Sequence, residues 1–223
     1  MALMGDTSDF TRPGQFLNIR IDGKFLRRPI SVFDKRDGVA EIIYKTVGSG
    51  TEIMSGLQKG KVLDVLCGLG NGFDTALSGD RPLLIGGGVG APPMYWLAKK
   101  LTGEGKKVSV ILGFNSQKDV ILKDEFLELT PDVKVSTVDG SEGTKGFVTD
   151  MMSEGYTHYY ACGPEPMLKA VHGKAATSGQ ISFEARMGCG FGACMGCSCR
   201  TVTGYKRICR EGPVLLHEEV LWQ

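Results

Sequence analysis

The residues best suited to carry chemistry are cysteines near the end of the chain. Seven cysteines occur among 223 residues, and five of them fall between residues 189 and 209. Four of these five form a Cys-x4-Cys-x2-Cys…Cys pattern: Cys189, Cys194, Cys197 and Cys209. This is the spacing of a plant-type [2Fe–2S] ferredoxin loop. The intervening glycines can adopt left-handed conformations and leave N–H groups free to donate to sulfur. The pattern therefore predicts that these four thiolates hold a [2Fe–2S] cluster.

Two other interpretations of the cysteines stay open. A structural zinc site usually has paired Cys-x2-Cys units, and only Cys194 and Cys197 have that spacing here. A group of buried free thiols is the plainer alternative. Disulfides are disfavoured, because the number of cysteines is odd and the first residues do not resemble an export signal. Cys199 follows Cys197 by two residues, and we expect it to pack rather than to bind metal.

A glycine-rich turn at residues 86–91, GGGVGA, follows the apolar run PLLI and precedes a helix that opens with prolines. Gly86, Gly88 and Ala91 fit the G-x-G-x-x-A pattern of a dinucleotide-phosphate loop, with Gly90 inside it. The acid that usually binds the ribose is missing, since Phe114 and its neighbour occupy that place. NAD is therefore favoured over NADP by default only.

A third segment, Arg27-Arg28-Pro29-Ile30-Ser31, begins an expected strand. An arginine can bind a diphosphate and a serine hydroxyl can meet a ring nitrogen, although an exposed basic strand end is the plainer interpretation. The turn VGSGTE at 47–52 strengthens the first interpretation, because Thr51 is expected to cap a short helix whose N–H groups could bind a second phosphate face. Together the two segments favour a flavin.

Cys162 ends the last expected strand of the α/β region, in ACGP. Ligands of open α/β sheets bind at the carboxyl ends of the strands. The Cys162 thiol could therefore face a nicotinamide, or it could simply pack, and the sequence does not separate the two.

The pattern of elements that must position these residues changes twice along the chain. Residues 14–78 alternate short β-rich runs with glycine turns, with one short helix expected at 51–58, which favours a small β-barrel. From residue 81, apolar strands such as PLLI and VSVILGF alternate with helices, among them one expected over 119–129 and one expected to start at 146–152. This alternation is typical of a parallel, doubly wound sheet. After Gly179 we expect little regular structure. We therefore divide the chain into a barrel at 1–78, an α/β domain at 79–179 and a metal-dependent module at 180–223.

Composition excludes several classes of protein. Apolar residues make up 42% of the chain and the formal charge is +1, which offers no global field for nucleic acid or anionic membranes. No apolar run is long enough to span a bilayer. These features favour a soluble, cytoplasmic protein that binds neither nucleic acid nor membrane.

Other titratable residues are expected to play no catalytic part. Three histidines are far apart in the sequence and are expected to be structural or solvated: His158, His172 and His217. Three basic residues flank Cys209, and a solvated face or a docking patch are equally plausible for them: Lys206, Arg207 and Arg210.

The motifs PGQF, RRPIS, GSGT, GGGVGAPP, ACGPEPML and EARMGCGFGACMGC occur in the order found in one group of the ferredoxin–NADP reductase-like superfamily. From about Pro13 onward, the chain resembles the electron-transfer subunits of type B dihydroorotate dehydrogenases. The resemblance implies an FAD-binding Greek-key β-barrel, a doubly wound NAD-binding α/β domain and a small C-terminal [2Fe–2S] module. Family members usually have a longer stretch before PGQF, so an open barrel edge is one expectation here.

The resemblance also implies roles for individual residues. It places FAD against Arg28, Pro29, Ile30, Ser31, Ile43, Tyr44, Lys45, Gly50 and Thr51. It makes Cys189, Cys194, Cys197 and Cys209 the cluster ligands. The implied function is to relay electrons from the FMN of a dihydroorotate-oxidising subunit through the cluster and FAD to NAD+, in de novo pyrimidine biosynthesis. The implied assembly is a heterotetramer of two plus two subunits.

The sequence is compatible with two alternative functions. A related subunit could pass electrons between NAD(P)H and ferredoxin or sulfur compounds, but the resemblance to that group would place an aspartate where this chain has Cys189. An iron–sulfur redox sensor would need neither a flavin nor a nicotinamide site, so bound FAD would eliminate it.

Overall fold

The structure is a computed structural model and describes residues 1–222. Its first unit is a curled antiparallel sheet with one short helix, α1, at Ser49–Ser55. The strands of this sheet are β1 Ala2–Met4, β2 Phe16–Ile19, β3 Arg28–Arg36, β4 Val39–Ile42 and β5 Val65–Leu69. Their order is β1-β4-β3-β2-β5, so within residues 1–222 the barrel has open edges at β1 and β5.

The second unit is a seven-stranded sheet with helices on both faces. Its strands are β6 Pro82–Gly87, β7 Ser109–Phe114, β8 Val133–Thr137, β9 Thr144–Lys145, β10 His158–Cys162, β11 Gly179–Ser182 and β14 Val214–Leu216. Its helices are α2 Ala91–Gly103, α3 Lys123–Leu129 and α4 Glu165–Lys174. A two-stranded hairpin, β12 Ser198–Thr201 and β13 Gly204–Arg207, lies in the cysteine-rich segment.

The order of the large sheet is β14-β11-β10-β6-β7-β8-β9, and every pairing is parallel except that of β14 with β11. The chain winds outward from β6 to β9 and then crosses to β10 on the other side. The topological switch point therefore lies between β6 and β10, where open α/β sheets bind their ligands. This confirms the predicted doubly wound sheet.

Each face of this sheet has its own core. On one face, Leu84, Leu112 and Tyr160 pack with the buried side of α2. On the other, Ile85 and Ala161 pack with α4 and with the cysteine segment. Because both faces are covered, the strands are nearly continuous apolar runs, which is why the sequence identified them.

Three expectations about elements are wrong. The segment after Gly179 is not irregular, because β11 and β14 extend the large sheet. The helix expected over 119–129 begins only at Lys123, since Leu122 adopts a left-handed conformation with φ 64° at the N-cap. The helix start expected at 146–152 is a single 3-10 turn, Val148–Met151.

Two of the three histidines, His172 and His217, lie together although they are far apart in the sequence. The His172 and His217 rings stack with centroids 3.9 Å apart, and Tyr159 Oη is 2.7 Å from His217 Nδ1. His158 is 4% exposed, and its Nε2 lies 3.2 Å from the amide Nε2 of Gln180, so the imidazole accepts there. Burial lowers the pKa of His158 below its usual 6.5. These contacts are structural, as expected.

Helices long and apolar enough to cross a membrane do not occur in the described part of the chain.

Candidate cofactor-binding site

The four candidate cluster ligands are gathered in two pairs. In the first pair, the Cys194 N–H donates to Cys189 Sγ and the Cys189 N–H donates to Cys194 Sγ, both at 3.4 Å. In the second, the Cys209 N–H donates to Cys197 Sγ at 3.4 Å. Within residues 1–222, no group of three or more metal-ligating side chains is found. Two pairs of thiols suit a cluster of two irons held by four cysteines.

Backbone N–H groups favour the thiolate form of Cys189, the form that binds metal. Burial raises the pKa of Cys189, but N–H groups of Cys194, Phe191 and Ala193 outweigh it and lower the pKa to about 6. The Ala193 N–H is 3.2 Å from Cys189 Sγ. Burial instead raises the pKa of Cys209 to about 12. One pair is thus partly solvated and the other lies inside the protein.

The cysteine loop is held from outside by Arg207. Its Nη1 donates to the Gly192 carbonyl at 2.7 Å, and the same guanidinium pairs with Glu211. Gly192 has φ +91°, a conformation that a residue with a Cβ rarely adopts. Cys199 is half-buried in β12 and packs against the core that contains Ile85, Ala161 and α4.

Two of the three basic residues near Cys209 are engaged within the chain. Lys206 pairs with Glu219 and Arg207 pairs with Glu211, while Arg210 is exposed. This face therefore presents less free positive charge than the sequence suggests, because two of its three basic side chains form ion pairs within the chain.

Arg28 and the first turn of α1, the two segments expected to grip a diphosphate, lie in contact. The Arg28 guanidinium lies directly over Gly50, so a Cβ at Gly50 would overlap it. Arg28 also donates to the Leu26 carbonyl. A guanidinium beside the N–H groups of a helix start provides the charge and donors that a diphosphate requires. The donor set therefore fits the phosphate end of a flavin nucleotide.

The expectation that Thr51 caps α1 is wrong. Gly48 is the N-cap, and Thr51 is the third helical residue. The Thr51 hydroxyl accepts from the N–H groups of Val47 at 2.9 Å and Gly48 at 3.2 Å, and donates to the Gly48 carbonyl. Thr51 is 8% exposed, so its hydroxyl stabilises the turn and leaves only its backbone for a ligand.

The remaining flavin candidates lie in β3 or directly after β4. Pro29 and Ser31 pair across the sheet with Asn18 and Phe16, which places all four on the face opposite the barrel core. That face is turned toward the cysteine segment, because Phe16 packs in the same core as Cys197 and Cys209. Ile30 instead packs against the barrel core. Three candidates follow β4 directly: Ile43 and Tyr44, which are half-buried, and Lys45, which is exposed.

The glycine turn after β6 brings its backbone close to the start of α2 and to the end of β10. A Cβ at Gly86 would lie 2.8 Å from Ala91 Cα, and a Cβ at Gly90 would overlap the Cys162 carbonyl. Gly88 has φ +53°. Cys162 pairs directly with Gly86 across the switch point. The turn, the start of α2 and the end of β10 thus form one tight cradle that fits a dinucleotide.

Sequence reasoning missed two groups next to Cys162. Cys162 is 4% exposed. Its burial, and to a smaller extent the negative charge of Glu184, raise the pKa of its thiol to about 12. A hydrogen bond with Ser182 acts in the opposite direction. Burial also raises the pKa of Glu184, although its side chain borders solvent. Glu184 lies two residues after β11. The sequence analysis did not predict β11, and without that strand it could not place Glu184 at this edge of the sheet.

A cleft of about 640 Å³ lies at the opposite, amino-terminal edge of the parallel strands, lined among others by Arg81, Ser109 and Lys134. None of the candidate site residues lines it.

Two segments match known families. Residues 84–173 match the "Oxidoreductase NAD-binding domain", which contains the glycine cradle and Cys162. Residues 184–221 match the "Iron-sulfur cluster binding domain of dihydroorotate dehydrogenase B", which contains both cysteine pairs.

Curated relatives extend the match to nearly the whole chain. The electron transfer subunit of dihydroorotate dehydrogenase B (NAD(+)) from Fusobacterium nucleatum is 46% identical over 93% of this chain and 86% of its own length. The chain belongs to this family of electron transfer subunits. Other members of the family include the subunit from Bacillus pumilus, 44% identical over 99% of this chain and 91% of its own.

Solved structures support the family's fold. A chain of an NADH-dependent reduced ferredoxin–NADP oxidoreductase has a TM-score of 0.87 and 34% identity, covering 97% of this chain and 82% of its own. The ferredoxin reductase of carbazole 1,9a-dioxygenase has a TM-score of 0.63 at 21% identity, covering 78% and 59%, and shares the fold. The predicted family and the fold of barrel, nucleotide-binding sheet and iron–sulfur module are thus confirmed.

Proposed function

We propose that this chain passes electrons from the FMN of a dihydroorotate-oxidising subunit, through a [2Fe–2S] cluster and FAD, to NAD+ in pyrimidine biosynthesis. One observation carries the proposal. Phe16 from the barrel, Ile85 from the nucleotide-binding sheet, and Cys197 and Cys209 from the cysteine segment share one buried core. Three elements suited to three redox groups therefore meet at one place rather than on separate surfaces.

The residues that would hold each group follow from the site. The cluster would be held by Cys189, Cys194, Cys197 and Cys209. FAD would be held by Arg28, Pro29, Ile30, Ser31, Ile43, Tyr44, Lys45, Gly50 and Thr51, and NAD by Gly86, Gly88, Gly90 and Cys162. When bound, a cluster carries single electrons and a flavin exchanges one-electron for two-electron steps, while the protein supplies placement and electrostatics.

The protein's own contribution is charge and exclusion of water. The N–H groups around Cys189 stabilise thiolate charge before any metal is present. Arg28 offsets diphosphate charge beside the start of α1. The Cys162 thiol stays protonated at neutral pH because burial raises its pKa, so it meets a nicotinamide as a neutral, apolar group.

The relatives' name, electron transfer subunit, implies a catalytic partner. We propose that this partner contains FMN and that the assembly is two plus two. The rival, a ferredoxin–NADP oxidoreductase subunit, is supported by the fold likeness at 34% identity. The 46% identity to the dihydroorotate dehydrogenase subunit favours the first function.

A cluster-deficient variant tests the relay. Cys194→Ser should lose the cluster while retaining FAD, because Asn18 in the barrel contacts Cys189 and Gly190 of this loop rather than the Cys194 side chain. It should keep NADH-dependent reduction of an artificial acceptor and lose NAD+ reduction by dihydroorotate in the presence of the partner. Iron, sulfide and FAD contents are measured in parallel. A wild-type coupled rate in this variant would show that electrons do not need the cluster.

A further inference from the structure

Asn71 joins the barrel to the segment that follows Cys209. Its Nδ2 donates to the carbonyls of Glu211 at 3.1 Å and Val214 at 2.7 Å. Its Oδ1 accepts from the Val214 N–H at 3.1 Å, and its own backbone N–H donates to the Gly212 carbonyl at 2.7 Å. One residue just beyond β5 thus makes four hydrogen bonds to a segment about 140 residues further along the chain.

Asn18 makes a contact of the same kind at the other cysteine pair. It lies in β2, is 1% exposed, and donates from Nδ2 to the Cys189 carbonyl at 3.3 Å. Gly190 packs so closely on this amide that a Cβ there would overlap it. Asn18 Oδ1 is buried and has no hydrogen-bond partner within residues 1–222. Because a buried oxygen without a partner destabilises the fold, barrel stability alone does not explain an asparagine here.

Both asparagines lie on the part of the barrel that carries the flavin candidates. Asn18 pairs with Pro29 in β3 on one side and with Leu66 in β5 on the other. Asn71 follows β5 after a single residue. The paired strands β3, β2 and β5 therefore connect Arg28–Ser31 to Cys189 through Asn18, and to the segment that follows Cys209 through Asn71.

We propose that Asn18 and Asn71 are positioning residues that hold the two cysteine pairs at a fixed separation from the flavin-binding strands. The consequence for electron transfer rests on the proposed function. In each transfer one electron leaves the reduced cluster and one enters the flavin, and tunnelling rates fall exponentially with the separation. A loosened cysteine segment would therefore slow this transfer without altering the steps at NADH.

Hydrogen exchange measured by mass spectrometry tests the positioning directly. Asn71→Leu keeps the branched shape of the side chain but removes three hydrogen bonds. Asn71→Asp keeps the acceptor for the Val214 N–H but places a carboxylate oxygen against the carbonyls of Glu211 and Val214. We expect exchange over residues 207–216 to be about tenfold faster in Asn71→Leu, equivalent to about 1.4 kcal/mol of local opening, and faster than wild type in Asn71→Asp as well, because two carbonyl oxygens would face a carboxylate. Asn18→Leu should act in the same way on residues 188–194.

A kinetic measurement supplies the second readout. In protein loaded with FAD and cluster, NADH reduces the flavin by hydride transfer, and the following one-electron reduction of the cluster, the same step in reverse, is measured as loss of the cluster's visible absorbance. Asn71→Leu and Asn18→Leu should slow this transfer several-fold. Cluster content and NADH-dependent reduction of an artificial acceptor should stay at the wild-type level.

Thr7 provides a matched control within the barrel. Its buried hydroxyl donates to the Arg36 carbonyl at 3.2 Å and accepts from the Gly38 N–H at 3.2 Å, and both partners lie at the turn between β3 and β4. Thr7→Val should lower overall stability without a selective effect on residues 207–216.

Three results would overturn the proposal: unchanged local exchange in Asn71→Leu, an increase spread evenly over the chain as in Thr7→Val, or faster local exchange with an unchanged transfer rate. Loss of the proposed function would look different, since wild-type protein would then carry no FAD or cluster while exchange could still be measured.

Discussion

Gly90→Ala offers a sharp test of the nucleotide cradle. A methyl group there would overlap the Cys162 carbonyl and lie against the Gly163 backbone, and backbone atoms cannot rotate away. Overpacking of this kind costs about 1–3 kcal/mol of folding stability. Relief requires the start of α2 to move away from the end of β10, which would misplace the helix N–H groups expected to meet the dinucleotide. Loss of one charge-assisted hydrogen bond, about 1.5–3 kcal/mol, would raise the KM for NADH about 10- to 150-fold.

Gly103→Ala is the matched control in the same helix. Gly103 ends α2, and a Cβ there meets nothing within 4 Å. Alanine should stabilise the protein by about 0.5–1 kcal/mol and leave the KM unchanged. Urea denaturation gives the stability, and NADH-dependent reduction of an artificial acceptor gives the KM. Equal stability and equal KM for Gly90→Ala and wild type would refute the close approach.

Three further predictions follow from the site and the core. Arg28→Ala should weaken FAD retention by about 1.5–3 kcal/mol, measured by equilibrium dialysis, whereas Arg27→Ala should not; equal retention in both would make Arg28 an ordinary strand-end charge. Cys199→Ser should keep the iron content of wild type and Cys197→Ser should lose it, and loss in both would mean that the ligand set is wrong. The pKa of His158 is lowered by burial, so the unfolded chain binds its proton more readily. Stability should therefore be full above about pH 6.5 and fall below it, and His158→Gln should flatten part of that decline in urea midpoints.

The parallel strands could be predicted because burial on both faces produces long apolar runs. PLLI and VSVILGF coincide with β6 and β7 within one or two residues. β11 and β14 could not be found in this way, because β11 has only four residues and β14 only three. Pairing with neighbours, rather than local pattern, makes them strands.

The candidate site likewise has residues that the sequence could predict and residues that it could not. Cysteines at fixed spacing and a glycine turn are local signals, and the structure places them in two thiol pairs and a closed cradle. Glu184, Asn18 and Asn71 carry no local signal, because their partners lie far away in the sequence. The role expected for Thr51 was wrong for a related reason: the N-cap is set by the extended backbone of Gly48, and residue type alone does not show it.

The most direct test of the central claim is a reconstitution. This chain, loaded with FAD and cluster, is mixed with an FMN-containing dihydroorotate-oxidising subunit, and NADH formation from dihydroorotate is measured. The account predicts no NADH with either subunit alone and sustained formation with both, saturating at equal numbers of the two chains. NADH formation by the catalytic subunit alone at the same rate would contradict it, as would none from the mixture when both subunits carry their cofactors.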